Sequence, residues 1–242
     1  MDPSSVEEAK IQQEKLNAAT RAVAFVESGM MLGLGSGSTV DRAIDVLARR
    51  VSTESLDVTT VVASRRTQER AEAAGIRVVD FGEVSHIDVL IDGADEVDPA
   101  YRLIKGGGGA LVRERILAAA SQTIIIAVDS RKPVERLGRF PLPIAVVPFG
   151  CHAVAGALAS RGIRAQLRMT GGGVFVTDDG QWVVDCVCPD IDDPGALVRW
   201  LKMIPGVVEV GLFLDLVDWL VIARGDAVEV RRAPDRPTHS SF

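Results

Sequence analysis

Histidine and cysteine are scarce in these 242 residues, three of each, and their scarcity excludes several kinds of chemistry. His86, His152 and His239 share no helical or ligand spacing, so neither a His-based metal site nor a Ser-His-Asp triad has a frame to stand on. Each reads as a surface or packing histidine. Cys151, Cys186 and Cys188 make an odd count, and one Cys-x-Cys without a second pair is not zinc spacing, so reduced structural thiols are expected. Positive charge is not in excess either: 27 Lys and Arg stand against 33 Asp and Glu, a net charge of −6, which gives no general attraction to nucleic acid. Long apolar runs are missing; the longest, residues 124–128 and 219–223, are only strand-sized, and the chain does not open on a basic then apolar stretch. A cytoplasmic protein with no membrane or nucleic-acid partner is the expectation.

What remains is an ordinary globular balance, 47% hydrophobic and 25% charged, in a length that suits one large domain or a domain with a smaller lobe. Apolar positions at Ile11, Leu16, Ala19, Val23 and Val26 predict a lead-in helix over 6–27, stopped at Gly29. Strands at 30–34, 58–63, 77–80, 87–91 and 123–128 alternate with helices at 39–50, 67–74 and 110–120, which predicts a mainly parallel sheet. After Pro141-Leu-Pro143, read as a joint, come strands at 144–147, 166–169 and 207–213, helices at 152–160 and 194–203, and a hairpin at Asp178-Asp-Gly180. The fold class is therefore α/β: a Rossmann-like sheet flanked by helices over 1–140 plus 214–242, with a smaller split βαβ, ferredoxin-like α+β lobe over 141–213. Strands at 219–223 and 227–230 close the fold, and 231–242 reads as a polar, mobile tail.

Four segments offer chemistry. Gly33-Leu-Gly35-Ser-Gly37-Ser-Thr39 lies between a strand and a helix, where backbone N–H groups, three hydroxyls and the helix N-terminus suit a phosphate; a structural Gly-rich turn fits equally. A dinucleotide fingerprint would need Gly at Ser38 and an acidic residue where Ser64-Arg65-Arg66 stands, and no Gly-Lys-Ser/Thr ending marks a nucleotide loop. Asp92-Gly-Ala-Asp95-Glu96 follows a strand, at the end that faces the ligand crevice of such a sheet, and reads as sugar or proton-transfer carboxylates or as an acidic turn. Lys105-Gly-Gly-Gly-Gly109 is entropically costly to order, which favours close approach of a ligand to its backbone, with Glu114 on the second turn of the next helix. Lys132 follows the 123–128 strand. Taken alone, Glu114 and Lys132 each read as surface residues.

Together these stretches resemble ribose-5-phosphate isomerase type A, whose marks are a Gly-x-Gly-Thr-Gly-Ser-Thr loop, Asp-Gly-Ala-Asp-Glu, Lys-Gly-Gly-Gly with Glu nine residues after its Lys, and a later Lys. Val176-Thr-Asp-Asp-Gly180 and the stretch from Ile204 to Phe213 look like that family's second lobe and read as fold, not chemistry. Ser36 replaces the usual Thr, and the 62–67 segment lacks the Pro-Thr often found there. The resemblance implies substrate contacts from Ser36, Gly37, Ser38, Thr39, Asp92, Gly93, Ala94, Asp95, Lys105, Gly106, Gly107, Gly108 and Lys132, with Glu114 as base, assisted by Asp92, Asp95 and Lys105. It further implies aldose–ketose isomerisation of D-ribose 5-phosphate through a cis-enediolate in the non-oxidative pentose phosphate pathway, no cofactor or metal, and a homodimer or homotetramer. A sugar-phosphate sensor and a coenzyme A transferase share the architecture. The sensors lack the full Asp, Lys and Glu set and normally follow a DNA-binding module, for which the single lead-in helix leaves no room.

Overall fold

The computed structural model describes residues 3–234, so the end of the expected polar tail and His239 lie outside the described residues. In chain order the elements are α1 Pro3–Val23, β1 Met31–Leu34, α2 Ser38–Glu54, β2 Thr59–Val62, α3 Arg65–Ala73, β3 Arg77–Val78, β4 Ile87–Asp92, β5 Glu96–Val97, β6 Leu103–Ile104, α4 Leu111–Ala119, β7 Ser121–Val128 and β8 Leu142–Val146. There follow α5 Cys151–Ser160, β9 Arg164–Leu167, β10 Met169–Thr170, β11 Gly173–Val174, β12 Trp182–Val187, α6 Pro194–Lys202, β13 Val207–Val210, β14 Leu212–Phe213, β15 Trp219–Arg224 and β16 Ala227–Arg232. None of the described helices is long and apolar enough to cross a membrane.

The chain divides into two units, the first made of residues up to Gly93, Ile116–Lys132 and from Asp215 onward. Its seven-stranded sheet runs β16-β15-β7-β4-β1-β2-β3, parallel throughout except for the β15–β16 hairpin. Strands β4 and β7 are buried on both faces, and their near-continuous apolar runs follow from that. The core gathers Leu32, Leu34, Val40, Ile44, Leu47, Val89, Ile91, Ile125 and Val221 with the apolar stripe of α1, including Ala18, Ala22 and Val26. β16 continues to Arg232, so Arg231 belongs to a strand and not to the tail.

The second unit comprises Ala94–Arg115 and Pro133–Leu214, and so takes in 94–115 and 133–140 besides the expected 141–213. Strand pairing is the reason: β5 and β6 join β14 in a three-stranded sheet, Val134 donates its N–H to the Val97 carbonyl at 2.9 Å, and buried Glu96 accepts from the N–H groups of Gly138 and Phe140 at 2.7 and 2.5 Å. A four-stranded antiparallel sheet, β13-β8-β12-β9, carries α5 and α6; this is the ferredoxin-like order expected from the split βαβ pattern. Leu142, Ile144 and Val146, two residues apart and hence on one face, pack with Val154, Leu158 and Leu201 of the two helices. Pro141-Leu-Pro143 is thus no joint. β8 begins at Leu142 and is a central strand, where Pro143, lacking an N–H, still accepts from the Gly211 N–H at 2.8 Å.

Candidate active site

In the first unit the chain leaves β1, turns into α2, β2, α3 and β3 on one side of β1, then returns as β4 on the other. The carboxyl ends of β1 and β4 therefore flank the switch in strand order, where open parallel sheets bind ligands. Gly35 lies against Asp92 so closely that a Cβ there would fall 1.9 Å from the carboxyl carbon. Asp92, 1% exposed, accepts from the Gly93 N–H at 2.7 Å and the Ser36 N–H at 3.3 Å. Gly37, at φ 91°, caps α2 without a side-chain bond, leaving the first-turn amides of a 17-residue helix beside the Ser38 and Thr39 hydroxyls.

The 64–67 segment has a structural duty. Ser64 caps α3 by accepting from the Thr67 N–H at 3.0 Å, the Thr67 hydroxyl donates to the Gly35 carbonyl at 3.1 Å, and Arg66 pairs with Asp41 at 2.6 Å. The glycine loop is braced from below by this helix start.

At the end of β7, fully buried Asp129 accepts from the backbone and side chain of Arg131, and its own carbonyl accepts from the Lys132 N–H at 3.2 Å. Burial alone would raise the Asp129 carboxyl, but the Arg131 hydrogen bonds, with the charges of Arg131 and Lys132, outweigh it and hold the group below its ordinary range. Lys132 is half-buried, not a free surface lysine.

Two charged residues that sequence reasoning passed over join this edge from α1. Glu14, fully buried, accepts from the Ser130 N–H at 2.9 Å and the Gly225 N–H at 2.7 Å. Lys15 is 7% exposed; burial pushes its ammonium below the ordinary lysine range, Asp129 opposing and Arg131 and Lys132 reinforcing the effect. Both fall on the helix face that also carries Ile11, Ala18 and Ala22, so charge on an apolar stripe was the signal available in the sequence.

The second unit holds the remaining candidates. Helix α4 begins at Leu111, which places Glu114 in its first turn and not its second. Far from being a surface residue, Glu114 is 3% exposed, and its Oε2 lies 3.2 Å from Lys105 Nζ, itself buried. The Lys105 ammonium stands 5.5 Å from the centre of the Phe213 ring, and the Arg115 guanidinium lies over the same ring at 3.7 Å. Arg115 also donates to the Leu212 carbonyl at 2.7 Å, and burial lowers its pKa while Glu209 works against that. In the 204–213 stretch, Phe213 stands beside the Lys105 ammonium and the Gly211 carbonyl accepts from the Lys105 N–H at 2.8 Å.

The four glycines form a tight turn in which the Gly109 N–H returns to the Gly106 carbonyl at 2.9 Å. Gly106 and Gly109 take φ of 98° and 83°, and a Cβ on Gly109 would strike the Phe175 ring at 2.4 Å. The Gly107 N–H donates to Asp95 Oδ2 at 2.7 Å, and Gly108 stands exposed at the tip. Of the Asp-Gly-Ala-Asp-Glu carboxylates, Asp92 and Asp95 thus hold loop backbone in their own units, while Glu96 is a structural anchor. Cys151 and Cys186 are buried and Cys188 half-buried, all free, and burial raises all three thiols, as suits unreactive structural cysteines.

The model of the family "Ribose 5-phosphate isomerase A (phosphoriboisomerase A)" matches residues 59–227. Ribose-5-phosphate isomerase A of Sphingopyxis alaskensis is 45% identical over 218 residues, covering 90% of this chain and 95% of that protein. Its counterpart from Bradyrhizobium diazoefficiens is 45% identical over 237 residues, covering 93% and 98%. Among solved structures, a D-ribose-5-phosphate isomerase in complex with phospho-erythronic acid superposes with a TM-score of 0.89 at 36% identity, covering 92% of this chain and 99% of that one.

Proposed function

The chain belongs to the ribose 5-phosphate isomerase A family and is an aldose–ketose isomerase; we propose that Glu114 is its proton-transfer base and that the remaining candidates bind and polarise the sugar phosphate. The observation that carries this reading is the buried Lys105–Glu114 pair beside the glycine turn. A carboxylate paired with a lysine in a dry setting is held in orientation, while the ammonium supplies positive charge for an oxyanion.

Ribose 5-phosphate must first open, since only the free aldehyde acidifies the proton on C2; Asp92 or Asp95 assists that opening. Glu114 takes the C2 proton, the C–H electron pair forms the C1–C2 double bond, and the carbonyl electrons move onto O1. In the resulting cis-enediolate a proton passes from O2 to O1. Glu114 then returns its proton to C1, which leaves the ketone at C2 and gives ribulose 5-phosphate. One carboxylate serves both carbons because they are adjacent, and general-base catalysis of this kind is worth about 10²–10⁴-fold. With the Gly107 and Gly109 amides already engaged, Gly108 is the turn amide proposed to meet the enediolate, together with Lys105. Ser36, Gly37, Ser38, Thr39 and Lys132 are proposed as substrate contacts, with Lys15 added from its burial among the same charged groups. The proposed setting is cytoplasmic and homo-oligomeric, on the strength of the family resemblance.

The test is conversion of ribose 5-phosphate to ribulose 5-phosphate by the purified protein in the presence of a chelator, read by ketose absorbance. Turnover supports the reading; saturable binding without turnover points to a sensor and overturns it.

A further inference from the structure

Within the second unit a half-buried arginine grips the glycine turn from the side of its carbonyls. Arg168 Nη1 donates to the carbonyl oxygens of both Gly106 and Gly107, at 3.0 and 2.9 Å. The rest of its planar fork is held by Asp185, Nε to Oδ2 at 2.8 Å and Nη2 to Oδ1 at 2.5 Å. The two side chains are only 15% and 25% exposed, and the Phe175 ring, which abuts Gly109, lies 5.6 Å from the guanidinium. Such a bidentate pair fixes the plane of the fork as well as its position.

In a trans peptide the C=O and the following N–H point in opposite directions, and no cis bond occurs among the described residues. Holding the Gly106 carbonyl therefore aims the Gly107 N–H the other way, where Asp95 Oδ2 accepts it at 2.7 Å. Holding the Gly107 carbonyl aims the Gly108 N–H away from the guanidinium in the same manner. A cation at the carbonyl also draws electron density through the amide and strengthens its N–H as a donor. We propose that Arg168, clamped by Asp185, is a positioning residue of the isomerisation: it orients and polarises the Gly108 amide toward the enediolate oxygen and sets Asp95 through Gly107. The inference rests on the reading of this turn as the oxyanion donor.

The test compares Arg168→Lys and Asp185→Asn with the unaltered protein, using ribose 5-phosphate as substrate and 4-phosphoerythronate, whose planar carboxylate imitates the enediolate, as inhibitor. Lysine keeps the charge but cannot span two carbonyls and a carboxylate. We expect Arg168→Lys to lower kcat about 10²-fold, the lower end of the loss for removing one oxyanion donor, with KM within about threefold. The inhibition constant should rise by the factor by which kcat/KM falls, because only the enediolate and its mimic engage the amide. Asp185→Asn should move both quantities the same way by less. A purely structural role would lower thermal stability and the folded fraction while leaving the inhibition constant and the kcat of the folded enzyme where they were, and that result overturns the proposal. In the unaltered protein, the Gly108 amide proton should move downfield on binding 4-phosphoerythronate; an unmoved resonance also overturns it. If the unaltered enzyme turns over substrate but is not inhibited at all, the oxyanion reading of the turn falls and takes this inference with it. Inhibition of the unaltered enzyme with unchanged variants removes only the role of Arg168.

Discussion

Replacing Gly35 by alanine asks how tightly the first unit's loop is built around Asp92. Gly35 is not among the residues with positive φ, so the backbone tolerates alanine and the whole cost is steric. The added methyl would sit 1.9 Å from the carboxyl carbon and one carboxylate oxygen of Asp92 and 2.5 Å from the other, far inside contact distance. Asp92 is 1% exposed and cannot swing into water, so either the β1 loop or the Asp92 side chain shifts by about an ångström and strains the bonds from Ser36 and Gly93. Overpacking of this kind costs about 1–3 kcal/mol, or roughly 2–12 °C in Tm at about 2–4 °C per kcal/mol for a chain of this size. A misplacement of about 1 Å in a positioned group lowers turnover by about 10²-fold. Gly75→Ala is the control: its φ of 76° makes alanine strained, but nothing lies within 4 Å of the added methyl, so it should lose about 1–2 kcal/mol of stability and no turnover. Thermal denaturation followed by circular dichroism, with the ketose assay, reads both. Gly35→Ala with unaltered Tm and kcat/KM would refute the packing argument and detach Asp92 from the site.

Glu96→Ala should cost about 2–4 kcal/mol, since two buried N–H groups lose a charged acceptor, yet leave kcat per folded molecule unchanged; urea denaturation and turnover check it. Acid should destabilise the first unit in a defined direction. The folded-state pKa values of Asp129 and Glu14 are lowered, so their stabilisation is complete above their ordinary values, 3.8 and 4.5, and is lost as pH falls through the still lower folded values. Stability measured from pH 7 downward should thus hold to about pH 5 and then drop, and Glu14→Gln should be less stable at pH 7 but lose less on acidification. Arg113→Ala should matter little to stability, about 0.2–1 kcal/mol, because its fork to Asp179 is one-third exposed; a Tm scan checks this.

The architecture was legible because period and punctuation agree: the alternating strands of the parallel sheet, the stop of α3 at Gly75 and the ferredoxin-like order follow local patterns, whereas α1 ends at Val23, short of the expected stop at Gly29. The short strands β5, β6 and β14 were not, since two residues carry no period and their pairing is long-range. That pairing is also what moves 94–115 and 133–140 into the second unit. The candidate residues stand out in the sequence as glycine- and carboxylate-rich segments, but the contacts they make do not. Glu114 looks like any helix-surface glutamate until buried Lys105 is found beside it, and Glu96 is one more carboxylate of an acidic segment until it is seen to hold Gly138 and Phe140. Asp185, a charge within the apolar strand Trp182–Val187, was the one local hint of the Arg168 clamp.

The central claim is tested most directly by Glu114→Gln, which keeps shape and removes the base. At saturating ribose 5-phosphate the account predicts a fall in kcat of about 10²–10⁴-fold, with the Kd for ribose 5-phosphate within a few-fold of the unaltered protein by titration calorimetry. Turnover close to the unaltered rate would contradict it and take proton transfer away from Glu114.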